Sequence, residues 1–129
     1  MAGIIIGEDW SNVQKSKQFF LERHCFIDCR GKLTVARSSI WGFNVHVYTA
    51  SHNIDSGVAK EVMLKEVFVG ERVWIASDVI LYNCNIMDGA IVSVGAVVRN
   101  MTVTPFTMVE GNPAKVVKFF NGQEWVRVE

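Results

Sequence analysis

Apolar residues recur along the middle of the chain with a period of six. From Val69 the sequence divides into VGERVW, a five-residue IASDV, then ILYNCN, IMDGAI and VSVGAV, with Val98 opening the next unit. Each unit opens on an aliphatic residue (Val69, Ile75, Ile80, Ile86, Val92, Val98) and carries an apolar or small residue at its fifth place (Val73, Val79, Cys84, Ala90, Ala96). The phase extends upstream through CRGKLT, VARSSI, WGFNVH and VYTASH, with Cys29, Val35, Trp41 and Val47 first and Leu33, Ser39, Val45 and Ser51 fifth. An amphipathic helix would repeat at i, i+3, i+4 and i+7, and a half-buried strand at every second residue. Neither holds a six-residue phase through so many Gly, Asn and Asp residues.

Six residues suffice for one short strand and a turn. Three such units close a triangular coil, and successive coils stack by parallel strand pairing at ~4.8 Å. First-place aliphatics then fill the interior of a prism, small fifth-place residues fit near its corners, and Gly, Asn and Asp suit corner backbone. The pattern predicts an all-β parallel β-helix with clear repeats at about 27–52 and 69–103, a loop at 53–68 and a C-terminal cap over 104–129. Before the repeats, Ile4 to Trp10 can form a strand or a stray unit, and Gln14 to Arg23 a helical turn or two. At the far end FFNGQEWVRVE mixes aromatic and charged residues, as a tail or short helix covering the open end would.

The 129 residues fit one domain, 1–129, because domain sizes peak near ~100–150 residues. Half the residues are hydrophobic, 20% are charged and mean hydropathy is +0.21, which supports a core and argues against disorder. Thirteen basic and thirteen acidic residues leave no net charge, so there is no global basic field for a nucleic acid. No apolar run approaches the ~20 residues that span a bilayer, so no membrane association is expected. Three cysteines, Cys25, Cys29 and Cys84, cannot all pair within one chain, and no leader pattern opens the sequence. A reducing, cytoplasmic setting is the expectation.

Five stretches carry a family resemblance: FIDCRGKLTV at 26–35, VHVYTASH at 45–52, VGERVWIASDV at 69–79, DGAIVSVGAVV at 88–98 and VEGNPAKVVK at 109–118. Together they resemble the hexapeptide-repeat acyltransferases, whose fold is a left-handed parallel β-helix. Within that family the likeness is to the galactoside, maltose and nodulation O-acetyltransferases and the polysaccharide O-acetyltransferases. The left hand is taken from the resemblance, since the general preference for β crossovers is right-handed. What the resemblance implies is an acetyl-CoA-dependent O-acetyltransferase that acylates a hydroxyl of a sugar or surface polysaccharide precursor. It also implies a homotrimer with active sites between subunits. An N-acetyltransferase acting on an amino sugar is the alternative, and a noncatalytic β-helix scaffold is a third.

Acyl transfer from a thioester needs a base for the acceptor proton, a task suited to a neutral imidazole of ordinary pKa ~6.5. His52 closes the VYTASH unit just before the non-repeating segment and coincides with the family's catalytic histidine. The resemblance places Trp74 and Ser77 beside the histidine and the pantetheine arm of coenzyme A. It places Val94, Gly95 and Ala96 where that arm passes close to backbone amides. Arg99, Lys115 and Lys118 fall on the side that meets the coenzyme's phosphates, although Arg99 stands where the family more often has Thr or Ser. Asp55, in the segment beside His52, is the candidate acceptor contact. Three departures are evident: the short IASDV, NCNI at 83–86 in place of the commoner G-V-T-I, and RNMTVT, one residue longer than the usual connection.

A zinc enzyme on the same fold, the γ-type carbonic anhydrase, would need His24, His46 and His52 to meet at ~2.0–2.1 Å from one ion. Neighbouring units point His46 and His52 apart, so no metal is expected. Cys25 and Cys29, spaced C-x3-C, lack the second pair that a zinc site requires.

Overall fold

The computed structural model describes residues 5–6, 17–28 and 30–128. In chain order the elements are β1 (Ile5–Ile6), α1 (Lys17–Glu22), β2 (Phe26–Asp28), β3 (Lys32–Val35), β4 (Ile40–Trp41) and β5 (His46–Tyr48). They continue as β6 (Ala50–His52), β7 (Val62–Leu64), β8 (Glu66–Val69), β9 (Trp74–Ile75) and β10 (Ile80–Ile86). The last are β11 (Ile91–Val92), β12 (Val97–Val103), β13 (Thr107–Glu110), β14 (Lys115–Phe120) and β15 (Trp125–Arg127).

Three parallel faces make a triangular prism. On the first, Ile5, Ile27, Val47, Leu81 and Val98 stand in register across β1, β2, β5, β10 and β12. On the second, Val35, Val69, Ile86 and Val103 stack through β3, β8, β10 and β12. On the third, Trp41, Ile75, Val92 and Val109 stack through β4, β9, β11 and β13. These ladders, Ile5 aside, together with Val73, Val79, Ala90 and Ala96, form the buried core. The repeat therefore exists because each short strand sends one or two side chains inward, and burial of each large aliphatic is worth ~1.5–3 kcal/mol.

At Ile80 the observed phase corrects the sequence reading. Ile80 points outward and is 37% exposed, whereas Leu81 is fully buried. Side chains alternate along a strand, so adjacent Val79 and Ile80 cannot both face the core. IASDVI is thus a complete unit, and the five-residue interval runs from Leu81 to Ile86 instead. The same short interval recurs from Val98 to Val103, giving a coil offset of 17 residues.

The short interval is turned by asparagine. β10 and β12 each bend from the first face onto the second at a left-handed residue, Asn83 (φ 46°) and Asn100 (φ 53°). Asparagine tolerates this conformation better than other side chains do. The Asn83 side-chain amide also donates to Asn100 Oδ1 at 2.9 Å, tying the two corners together. A second corner column stacks Arg72, Gly89 and Phe106, all with positive φ. Gly89 suits that corner, because its φ of 73° is strained for a side chain and an added Cβ would displace the Phe106 ring.

The ends are covered differently. At the start, Phe20 of α1 is fully buried and packs edge-on against Trp41 at 5.2 Å, which agrees with a helical turn or two in this region. Of Ile4 to Trp10, only Ile5 and Ile6 lie within the described residues, where they add a strand to the first face. Cys29 lies outside them. At the other end no helix forms: β14 and β15 extend the third face as antiparallel strands, with Phe120 against Trp125 at 5.6 Å. Among the described residues no helix is long and apolar enough to cross a membrane.

Candidate functional site

Thr49 stands at the corner that Asn83 occupies one coil on, because Tyr48 pairs with Tyr82 and Val67 with Cys84. Thr49 does not adopt positive φ, and a β-branched residue resists that region. The chain leaves the prism here instead of turning. It returns at Glu66, so the excursion covers 50–66 and not 53–68. Within it β6 and β7 pair antiparallel, matching Ala50 to Leu64, Ser51 to Met63 and His52 to Val62. Ser51 accordingly belongs to the hairpin, and fully buried Thr49 is the last side chain inside the coil.

His52 ends β6 with its imidazole exposed. Its Nδ1 lies 2.7 Å from the Lys60 carbonyl oxygen. A carbonyl only accepts, so Nδ1 carries the hydrogen and the Nε2 lone pair of the neutral ring is left free. The Lys60 carbonyl is itself held, since the Lys60 N–H donates to the Asn53 carbonyl at 2.8 Å and the Asn53 N–H donates to the Glu61 carbonyl at 2.9 Å. Asn53 also donates from its side-chain amide to Glu61 Oε1 at 2.6 Å and accepts the Asp55 N–H at 2.9 Å. Beside the imidazole opens a cleft of about 260 Å³ lined by His52, Asn53, Asp55, Met63, Lys65 and Tyr82.

The feet of the hairpin are anchored to Asp28, Gly31 and Lys32, at the end of β2 and the start of β3. Thr49 Oγ1 donates to the Asp28 carbonyl at 2.5 Å and accepts the Gly31 N–H at 2.9 Å. The Lys65 N–H donates to the Thr49 carbonyl at 2.8 Å, and the Lys32 N–H donates to the Lys65 carbonyl at 3.2 Å. Gly31 has no room for a side chain, because a Cβ would lie 2.5 Å from the Thr49 carbonyl oxygen and against that of Lys65. The Asp28 carboxylate, 1% exposed, receives the Arg30 N–H at 3.1 Å and the guanidinium at 2.8–3.2 Å. Burial pushes the Asp28 carboxyl pKa up, but the Arg30 hydrogen bonds and charge outweigh it and hold the group below its ordinary value.

The remaining sequence-predicted residues are distributed over the prism. Arg99 follows Tyr82 in register on the first face, one strand from the cleft. Ser77 accepts the Phe43 N–H at 2.9 Å through Oγ, and its carbonyl accepts the Gly95 N–H at 3.0 Å at the corner between the third and first faces. Val94 and Gly95 are exposed at that corner, whereas Ala96 is buried, so any ligand contact there would come from its backbone. Trp74 lies on the third face, 48% exposed, in a groove with Arg72, Ile91, Phe106, Phe120 and Trp125. Lys118 extends the same outward row, paired with Met108, and Lys115 pairs with Glu110. Within one chain the structure brings together His52 and Asp55, with Arg99 nearby, and leaves Trp74, Lys115 and Lys118 on the face opposite that corner.

Known proteins share this architecture. A maltose O-acetyltransferase from Clostridium difficile superposes with a TM-score of 0.70 at 29% identity, over 76% of this chain and 54% of that one. A hexapeptide-repeat acetyltransferase from Vibrio cholerae, solved with acetyl-coenzyme A, gives 0.60 at 28% identity, over 74% and 57% respectively. This chain has the hexapeptide-repeat acetyltransferase fold. The hand of the coil is accordingly left, as the resemblance implied. A candidate acetyltransferase of Schizosaccharomyces pombe is 32% identical over 114 residues, 83% of this chain and 53% of its own. The chain thus spans about half the length of the relatives it matches. No protein-family model matches it.

Several contributors to this cleft go beyond the residues that the sequence reading singles out, among them Asn53, Lys60, Met63, Lys65 and Tyr82. Tyr82 becomes legible once Leu81 is placed inward, because its neighbour must then face out. The Lys60 carbonyl has no side-chain signature, and only the hairpin register reveals it. The three histidines stand apart: His24 in the turn after α1, His46 on the first face between Tyr48 and Asn44, and His52 on the hairpin. Among the described residues no three His, Cys, Asp or Glu side chains form a metal-binding group.

Proposed function

We propose that the chain acts in an acetyl-coenzyme A-dependent O-acetyltransferase that acylates a hydroxyl of a sugar or surface polysaccharide precursor, with His52 as the general base. One observation carries the reading. The Lys60 carbonyl holds Nδ1–H and leaves Nε2 bare beside an open cleft. The relative solved with acetyl-coenzyme A supports the donor, and the maltose O-acetyltransferase supports a sugar hydroxyl as acceptor.

His52 Nε2 takes the proton of the acceptor hydroxyl as the oxygen bonds to the acetyl carbonyl carbon. The carbon–sulfur bond then breaks, and the imidazolium returns the proton to the departing thiolate. The Lys60 carbonyl favours that transient imidazolium, because it accepts the Nδ1–H that the charged ring makes more acidic. Asp55, on the cleft wall, is the acceptor contact. Arg99 serves the donor's phosphates from the adjacent strand.

Trp74, Ser77, Val94, Gly95, Ala96, Lys115 and Lys118 lie away from this imidazole and reach one only from a neighbouring copy. A homotrimer with sites between subunits accounts for both groups. Cys25 and Cys84 are free thiols, in keeping with a cytoplasmic setting.

The test is thiol release from acetyl-coenzyme A in the presence of sugars. His52→Ala should lower kcat ~100-fold or more while coenzyme affinity stays within about twofold. Undiminished turnover in that variant removes His52 as the base.

A further inference from the structure

The hairpin that carries His52 has a weakly specified register. Between Ala50 and Glu66 no side chain is buried, so no core residue chooses which face of the ribbon points inward. A slip of one residue in a two-stranded ribbon turns every side chain to the opposite face. Such a slip would carry the His52 ring away from the Lys60 carbonyl and erase the choice between its nitrogens. Bonds among Asn53, Lys60 and Glu61 close the hairpin at its tip, so what is left to set is how its feet sit on the coil.

We infer that Thr49 is the positioning residue for His52, acting through its hydroxyl as the pin between the hairpin and the coil. This rests on the reading of His52 as the base. Thr49 is fully buried. Its Oγ1 spends its hydrogen on the Asp28 carbonyl (2.5 Å) and a lone pair on the Gly31 N–H (2.9 Å). Its own carbonyl receives the returning strand at the Lys65 N–H (2.8 Å), and the Lys65 carbonyl receives the Lys32 N–H (3.2 Å). Both feet are therefore fixed to one turn of the coil, with Thr49 the only side chain that joins them among the described residues. Asp28 and Arg30 stiffen that turn, and Gly31 lets the two strand ends approach it closely. The register set at Thr49 passes up three ladder pairs and arrives at His52.

Thr49→Val keeps the shape and removes the hydroxyl, whereas Thr49→Ser keeps the hydroxyl. Proton-nitrogen spectra of ring-labelled histidine at pH 8 report which His52 nitrogen is protonated, and amide exchange reports hairpin register. In the wild type we expect a single Nδ1–H tautomer. In Thr49→Val we expect a mixture of tautomers, at least tenfold faster exchange at Asn53 and Lys60, and coil amides unchanged. Its kcat should fall about tenfold with the KM for acetyl-coenzyme A within twofold, and Thr49→Ser should restore all of these.

A folded Thr49→Val protein with wild-type tautomer and wild-type exchange overturns the inference. If Thr49→Val does not fold, the wild type decides: the Gly31 and Lys65 amides must exchange as slowly as those of the coils, and exchange at hairpin rates sinks the pin. The tautomer and exchange measurements need no turnover. They therefore stand or fall separately from the transferase reading, which His52→Ala tests.

Discussion

The substitution pair Leu81→Ala and Ile80→Ala tests the phase of the whole core at its least regular point. Leu81 is fully buried in the interior ladder between Val47 and Val98, and its neighbour Ile80 faces out with 37% exposure. Leu81→Ala removes three carbon groups from the core, a transfer loss of ~2.4 kcal/mol at ~0.8 kcal/mol each. The cavity left behind adds to this, because stacked coils are held by ladders above and below and collapse poorly, so ~3–4 kcal/mol is expected in all. Ile80→Ala loses part of an already wetted side chain and should cost ~1 kcal/mol or less. Urea unfolding at fixed protein concentration reads both, since a chain of this size has an m-value of ~1–3 kcal/mol/M. At an m of ~2 kcal/mol/M the midpoint should drop by roughly 1.5–2 M for Leu81→Ala and by about 0.5 M or less for Ile80→Ala, with m unchanged. Equal losses, or the larger loss at Ile80, would refute the assignment of the short interval to 81–86.

Three further expectations follow from particular groups. Asn83→Ala should destabilise by ~1–2 kcal/mol because alanine resists positive φ, while Asn83→Gly should cost less; the reverse order in a urea titration would contradict the left-handed corner. Asp28 has a depressed pKa in the folded chain, so its contribution is full above the unfolded carboxylate value of ~3.9 and is lost as pH falls through the lower folded value. The stability gap between wild type and Asp28→Asn should therefore be flat from pH 7 to 5 and narrow progressively as pH falls below about 4; a gap that widens on acidification would rule this out. Burial pushes the Cys84 thiol up to about 12, so only ~10⁻⁴ of it is thiolate at pH 8. Peptide mass spectrometry after brief iodoacetamide treatment should find Cys84 unmodified in folded protein and labelled in urea; rapid labelling when folded would place it outside the core.

Much of the fold was legible because the prism has one dominant rule, inward aliphatics at fixed spacing, and Val69, Ile75, Ile86, Val92 and Val98 all obey it. At Ile80 the six-residue count and strand alternation conflict, and alternation prevails. Fifth-place Val79 needs its inward partner two residues on, at Leu81, as Val73 has Ile75. His52 was visible as a chemical type at the end of a repeat. Its orientation was not, because that depends on a backbone carbonyl eight positions away and on hairpin pairing that no residue type announces. FFNGQEW alternates poorly and so suggests a tail or helix; β14 instead adds to the edge that β13 leaves open, and β15 adds to β14.

The coil offset of 17 residues doubles to 34 across the excursion at 50–66. The hairpin thus uses one coil's length of chain, extruded sideways at a corner where threonine stands in place of asparagine. Excising it and setting asparagine at 49 would join Thr49's site to Val67 as Asn83 joins Cys84, leaving a longer uninterrupted stack without the His52 imidazole. Scaffold and excursion are separable here: no side chain of the ribbon enters the packed interior, so its length and sequence can change while every inward ladder stays in place.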